Sequence, residues 1–105
     1  MPQFRVYRNP NPASKTRFPL LLDVQSDLVT DLETRVVVPL CLAASMRDKL
    51  IRTLMPALEI EGKSYAMLTP QLAGISKKQL GTEVADLGEH RDEILAALDL
   101  LITGI

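Results

Sequence analysis

The last twenty residues, Asp86–Ile105 (DLGEHRDEILAALDLLITGI), carry the only long helical period in this 105-residue chain. At about 100° per residue, Leu87, Ile94, Leu95, Ala97, Leu98, Leu101 and Ile102 share an arc of roughly 160°. Glu89, Asp92, Glu93, Ala96, Asp99 and Thr103 fall on the other side. A helix with one apolar face cannot bury that face on itself, so the rest of the chain has to supply the surface that covers it. Asp86, with Glu89 three residues later, predicts a capping box, and Glu89, Asp92 and Glu93 suit the positive end of the helix dipole. Gly104 predicts a left-handed ending. Leu100 lies on the polar side, and Ile105 follows the glycine. Either Ile105 folds back onto Leu100, or Leu100, Thr103, Gly104 and Ile105 make a small exposed binding tip. Arg91 falls inside the apolar arc, where an unpaired charge is costly. It is expected to snorkel or to pair with Asp23, Asp27 or Glu83, the alternative being an exposed first turn that overhangs its support.

The preceding residues read as short strands separated by turns. Gln3–Arg8 alternates, with Phe4 and Val6 on one side and Gln3, Arg5 and Tyr7 on the other. NPNPASK (Asn9–Lys15) breaks that strand. Phe18–Val24 is nearly continuous in apolar residues, and Gln25–Glu33 reads as a loop or wide turn. Thr34–Leu40 contains three successive valines, a strand composition that Pro39 ends or confines to an edge. Ala43–Leu54 supports no more than a short helical turn. Ala57–Ile60 and Ser64–Leu68 flank Glu61-Gly62-Lys63, where Gly62 can supply the positive φ of a hairpin. Pro70–Thr82 holds Ile75 and Leu80 as candidate inward residues of one more strand, and Val84–Leu87 leads into the helix. Five or six strands followed by one helix predict a mainly β, α+β fold: a small open barrel of short antiparallel strands with a C-terminal α-helix. Apolar surface left over from such a small barrel predicts a homodimer.

Hydrophobic residues make up 47% and charged residues 24% of the chain, the values of a folded domain. The reading is one domain over residues 1–105. A net charge of −1 excludes a general nucleic-acid footprint. Charge is unevenly spread: residues 1–20 carry four basic residues and no acid, whereas the C-terminal segment is acidic. Cys41, the sole cysteine, sits between Leu40 and Leu42 and reads as a buried, inert thiol. No apolar run resembles a signal peptide or a membrane span, so a cytoplasmic location is expected. Catalytic signals are thin. His90 is the only histidine, and no phosphate loop, nucleophile elbow or metal-ligand spacing is present. Asp23, Asp27 and Asp31 recur at steps of four but lack the glycine and glutamate of a calcium loop, so they read as turn-forming acids. The chain therefore reads as a binding protein without catalytic residues, metal or cofactor.

LLLDVQSDLV (Leu20–Val29), RVVVPL (Arg35–Leu40), the hairpin through Gly62 with Met67–Thr69 after it, EVADL (Glu83–Leu87) and the terminal Thr-Gly-Ile resemble the CcdB family. They occur in the same order across almost the whole chain, and DVQSD is the most specific of them. The resemblance implies an SH3-like open barrel that forms a homodimer. It implies a type II toxin that binds the DNA gyrase A subunit, traps gyrase on cleaved DNA and is neutralised by a cognate CcdA-like antitoxin. DNA would be reached only through gyrase or the antitoxin complex, and no membrane would be involved. By position the gyrase-binding residues would be Leu28, Val29, Asp99, Ile102, Thr103, Gly104 and Ile105. One departure stands out, since the best-known family pattern has tryptophan where this chain has Thr103. Two alternatives accompany the resemblance: an endoribonuclease of the same fold, like MazF and Kid, and a non-toxic relative that only binds antitoxin.

Overall fold

In the computed structural model, which describes residues 3–29, 32–46 and 53–104, the valine-rich run after Glu33 becomes the strand with the most partners, three of the other six. The strands are β1 (Arg5–Arg8), β2 (Leu20–Asp23), β3 (Thr34–Leu42), β4 (Ala57–Ile60), β5 (Lys63–Met67), β6 (Ala73–Ser76) and β7 (Glu83–Asp86), followed by the helix α1 (Arg91–Thr103). They form one curled antiparallel sheet in the order β4-β5-β3-β2-β1-β7, with β6 also on β3. This is the expected half-open barrel with a C-terminal helix. The seven strands among the described residues exceed the five or six expected, because Glu83–Asp86 pairs with β1 and does not merely lead into the helix.

Pro39 neither ends β3 nor lies at an edge of the sheet. On one side β3 pairs with β2 from Val37 to Leu40. On the other it pairs first with β6 over Thr34–Val37 and then with β5 over Leu40–Leu42. The Pro39 carbonyl accepts a bond from Leu68 N at 3.0 Å, so the missing N–H of the proline faces the gap where one partner gives way to the other. A central strand tolerates the ring there because no ladder bond is lost.

The hairpin forms as its sequence predicts. Glu61 (φ 52°) and Gly62 (φ 79°) both adopt positive φ between Ile60 and Lys63, the two-residue turn whose twist matches that of its strands. Leu58 and Ile60 of β4 are buried, as is Met67 of β5.

Alternation places Val6, Leu20, Leu22, Val24, Val38 and Leu40 in one core with Phe4, Leu58, Ile60, Met67 and Leu87. Ile94 and Ala97 of α1 complete it, so the helix lies over the curled face as required. Full burial of Ile94 contributes about 1.5–3 kcal/mol. The opposite face is covered as well, which is why Tyr7, expected on a wet side, is buried with Leu21 and Val37. Segments 9–18 and 71–79 border that face around a cavity of about 180 Å³. Ile75 and Leu80 are both half-buried, but only Ile75 belongs to a strand; Leu80 follows a short 3-10 turn over Lys77–Gln79.

The largest departure from the sequence reading concerns Asp23. Besides holding a turn, its Oδ1 accepting from Gln25 N, it ends β2 with 0% exposure, paired to the equally buried Arg35 at the start of β3. Arg35 Nε and Nη2 donate to the two carboxylate oxygens at 2.8 and 3.0 Å, a bidentate fork. Asp27 opens the Asp27–Val29 turn, but its carboxylate accepts from the distant Gln3 N at 2.6 Å, and Asp31 lies outside the described residues. Taking one partner from a buried pair strands the other charge, whereas replacing both with apolar residues does not. Arg35→Ala should therefore lower stability by about 3–5 kcal/mol. Asp23→Leu combined with Arg35→Met should cost far less than the sum of the single variants. Urea midpoints of the three proteins test this.

Candidate protein-binding site

The helix that carries the expected tip starts later than its apolar period. Gly88–His90 is a 3-10 turn, and α1 begins at Arg91. Asp86 does accept from a backbone N–H at the entry, but the donor is Gly88 at 2.9 Å, and α1 itself has no side-chain cap. A capping box is instead found at Ser76 and Gln79, around the turn after β6. His90 lies 3.1 Å from Glu93, an i,i+3 pair at the helix start. Arg91 pairs with none of the three carboxylates expected. Its guanidinium lies 5.7 Å from the Phe4 ring centroid and 3.5 Å from Gln3 Oε1, and the residue is exposed, so the side chain snorkels across a core ring with its charge toward solvent.

At the other end α1 closes as its glycine predicts. Gly104 takes φ 73° and donates to the Leu100 carbonyl at 3.0 Å. Thr103 Oγ1 donates to the Asp99 carbonyl at 2.7 Å, which fixes the last turn. Asp99, Ile102, Thr103 and Gly104 are all exposed, whereas Leu100 is half-buried. Ile105, and with it any contact to Leu100, lies outside the described residues.

Ile102 is where amphipathic reading and structure diverge most. It falls at the edge of the apolar arc and 74% of it is exposed, while Leu101 beside it in the same turn is half-buried. Leu95 and Leu98, half-buried against the core, line a shallow concavity with Ala96 and Ile102 between Asp92 and Asp99. The helix thus presents an apolar strip flanked by carboxylates. Leu95 and Leu98 were not singled out for this role, since a helical wheel assigns them simply to the buried side.

Leu28 lies at the middle of a 3-10 turn, Asp27–Val29, and is 95% exposed. Val29 ends that turn. Leu32, beyond the loop, is 50% exposed and was likewise not anticipated. The turn is tied through Asp27 to Gln3, which reaches Arg91 at the start of α1. Ile102, eleven residues further along the helix, lies about 16 Å away along its axis. The fold therefore joins Asp99, Ile102, Thr103 and Gly104 in one turn and ties the Leu28 loop to the opposite end of the same helix.

A second concavity, of about 320 Å³, is bordered by Arg17, Phe18, Cys41, Met46, Met55 and Leu68, and the Arg17 guanidinium lies over the Phe18 ring. Burial raises the Cys41 pKa, and the nearby Arg17 cation only partly offsets this. Among the described residues no group of His, Cys, Asp and Glu is arranged to hold a metal ion, and no helix is long and apolar enough to cross a membrane.

Fold and surface together define a small curled-barrel protein that offers partners exposed apolar side chains. The CcdB protein family model matches residues 3–104, nearly the whole chain, and the chain belongs to that family. The family is that of toxin components of toxin–antitoxin pairs.

Cys41 and Tyr7 give this structure a testable response to alkali. Burial raises both pKa values; at Tyr7 the carboxylates of Glu83 and Asp23 add to the effect, against Arg5 and Arg35. An acid whose folded pKa exceeds its unfolded one contributes stability that is complete below the unfolded value and is lost as pH rises through the folded value. Stability should therefore fall as pH climbs beyond about 8.5, the ordinary thiol range, and further beyond about 10. At neutral pH, iodoacetamide should label native Cys41 at least tenfold more slowly than the urea-unfolded chain.

Proposed function

We propose that this chain acts as a single toxin domain, as a homodimer in the cytoplasm. In this reading it binds the DNA gyrase A subunit, traps gyrase on cleaved DNA and is neutralised by a cognate antitoxin. It works by binding, with no catalytic step of its own, and reaches DNA only through its partners. Family membership supports the toxin class. The observation that carries the rest is the 74% exposure of Ile102 on the final turn of a helix whose other large apolar residues are at least half-buried.

Each residue of the tip has a part in this reading. Ile102 supplies the apolar anchor, with roughly 2 kcal/mol available from burying it in a partner pocket. Gly104 turns the chain away with no side chain of its own, so that a partner backbone can approach closely. Asp99 sets a negative rim beside the anchor, which favours a basic counterpart and excludes acidic ones. Ile105 would extend the apolar contact past the glycine. Thr103 is exposed and its hydroxyl is engaged with the helix backbone, so it closes the turn but offers little to a partner. Leu28 and Val29 would provide a second contact from the loop. In a two-fold dimer the two tips would address a symmetric target.

The test is growth inhibition in cells carrying either normal gyrase A or a variant resistant to this family. Ile102→Lys should keep the urea midpoint of the parent, because the side chain is exposed, and should weaken gyrase A binding by about 30-fold, the equivalent of roughly 2 kcal/mol. Deleting Thr103–Ile105 should abolish inhibition while antitoxin binding persists. Thr103→Trp should strengthen binding by restoring the aromatic anchor of the family pattern. Full toxicity in the deletion variant, or equal toxicity in the resistant cells, would sink this reading. Metal-independent cleavage of single-stranded RNA by the purified protein would favour the ribonuclease. Sedimentation at micromolar concentration should give twice the protomer mass.

A further inference from the structure

The buried Asp23–Arg35 pair lies beside the loop that carries Leu28, and its hydrogen bonds extend into that loop. Asp23 Oδ1 accepts from Gln25 N at 3.0 Å. Arg35 Nη2, while bonded to Asp23, also donates to the Gln25 carbonyl at 3.2 Å. The Gln25 side chain then closes the circuit, its Oε1 accepting from Val36 N at 2.9 Å. From the other side Gln3 holds the same loop, with Nε2 on the Val24 carbonyl at 3.1 Å and its backbone N–H on Asp27 Oδ1 at 2.6 Å. Ser26 Oγ accepts from Leu28 N at 3.1 Å. Each residue from Asp23 to Leu28 is thus held by at least one directional bond, and the series ends on a leucine that is 95% exposed.

A buried ion pair is a poor way to stabilise a barrel, since two apolar residues of similar volume serve as well or better. What an apolar pair cannot do is bond the N–H and C=O of Gln25 at once. Only a carboxylate and a planar guanidinium fork reach both groups while satisfying each other. The geometry points to Asp23, Arg35 and Gln25 as positioning residues that clamp the Asp27–Val29 turn so that Leu28 is held outward for the gyrase A subunit. Holding the leucine in advance removes the ordering cost that a loose loop would pay on binding, and so raises affinity with no new contact. This use of the clamp rests on the gyrase reading; the clamping itself does not.

The experiment compares wild type with two variants by backbone amide exchange and by affinity for purified gyrase A subunit. Asp23→Leu/Arg35→Met removes the pair while keeping an apolar interior. Gln25→Leu keeps the pair and removes the side-chain bond to Val36 N, so it serves if the double variant does not fold. In either variant, exchange at Gln25–Leu28 should quicken at least tenfold while the amides of β2 and β3, apart from that of Val36 in the Gln25→Leu variant, stay protected. Affinity for gyrase A should fall at least tenfold. A merely structural role would loosen the whole sheet together, and that result, or unchanged exchange at Gln25–Leu28, would overturn the proposal. Local loosening with unchanged gyrase affinity would overturn the use assigned to the clamp. If the wild type itself does not bind gyrase A, the functional reading fails, and the exchange pattern alone decides whether the turn is clamped.

Discussion

One edge of β3 must serve two strands in succession, and most of the architecture follows from that requirement. β5 occupies the edge near Leu40–Leu42 and β6 the edge near Thr34–Val37, with the Thr69–Gln71 turn between them. Two strands that share an edge end to end cannot continue as one flat ladder, so the sheet bends where they change over. The bend closes the barrel face around Val6, Leu22, Val38 and Leu40 and leaves an opening that α1 covers with Ile94 and Ala97. Cover over the last turn is uneven: Leu100 and Leu101 are half-buried while Ile102 is exposed, so its exposure reflects which side of the helix faces the core, not a polar local sequence.

What could be read from the sequence was local in origin. The helical period, the glycine ending of α1, the two-residue turn at Glu61-Gly62 and the buried cysteine each depend on residues within a few positions of one another, and the structure agrees with all four. The misreadings were non-local. Asp23 and Arg35 lie twelve positions apart on adjacent strands, and no spacing rule connects them. Tyr7 reads as outward by alternation, but its side of the sheet is bordered by segments 9–18 and 71–79, the second of them far along the chain. Pro39 reads as an edge residue unless the change of neighbour beside it is known. For the candidate site, the wheel placed Ile102 on the apolar side but could not show that this edge of the arc is left uncovered. The exposure of Leu28 was legible only through family resemblance.

The site combines two kinds of order. At the helix end the backbone bonds of α1 set the positions, and the Gly104 turn and the Thr103 hydroxyl finish them. At the loop the backbone supplies no more than the three-residue 3-10 turn Asp27–Val29, and side chains perform that task. Gln3, Asp23, Gln25 and Arg35 take the place of a ladder, satisfying backbone groups that would otherwise need water. A loop ordered in this way has a defined shape without the breadth of a helix or strand, which suits a narrow apolar projection such as Leu28.

Pro39 also fixes what the sheet cannot become. Sliding β6 along β3 by two residues would bring a partner carbonyl against the proline ring, where no N–H can receive it. Extending β5 in the other direction meets the same obstacle. The proline of the central strand therefore acts as a register stop for both neighbours. Because a slip of one residue would turn every side chain of a strand to the other face, this stop protects the separation between the core that seats α1 and the face that holds Asp23 and Arg35. A single missing hydrogen atom thereby guards the assignment of two surfaces.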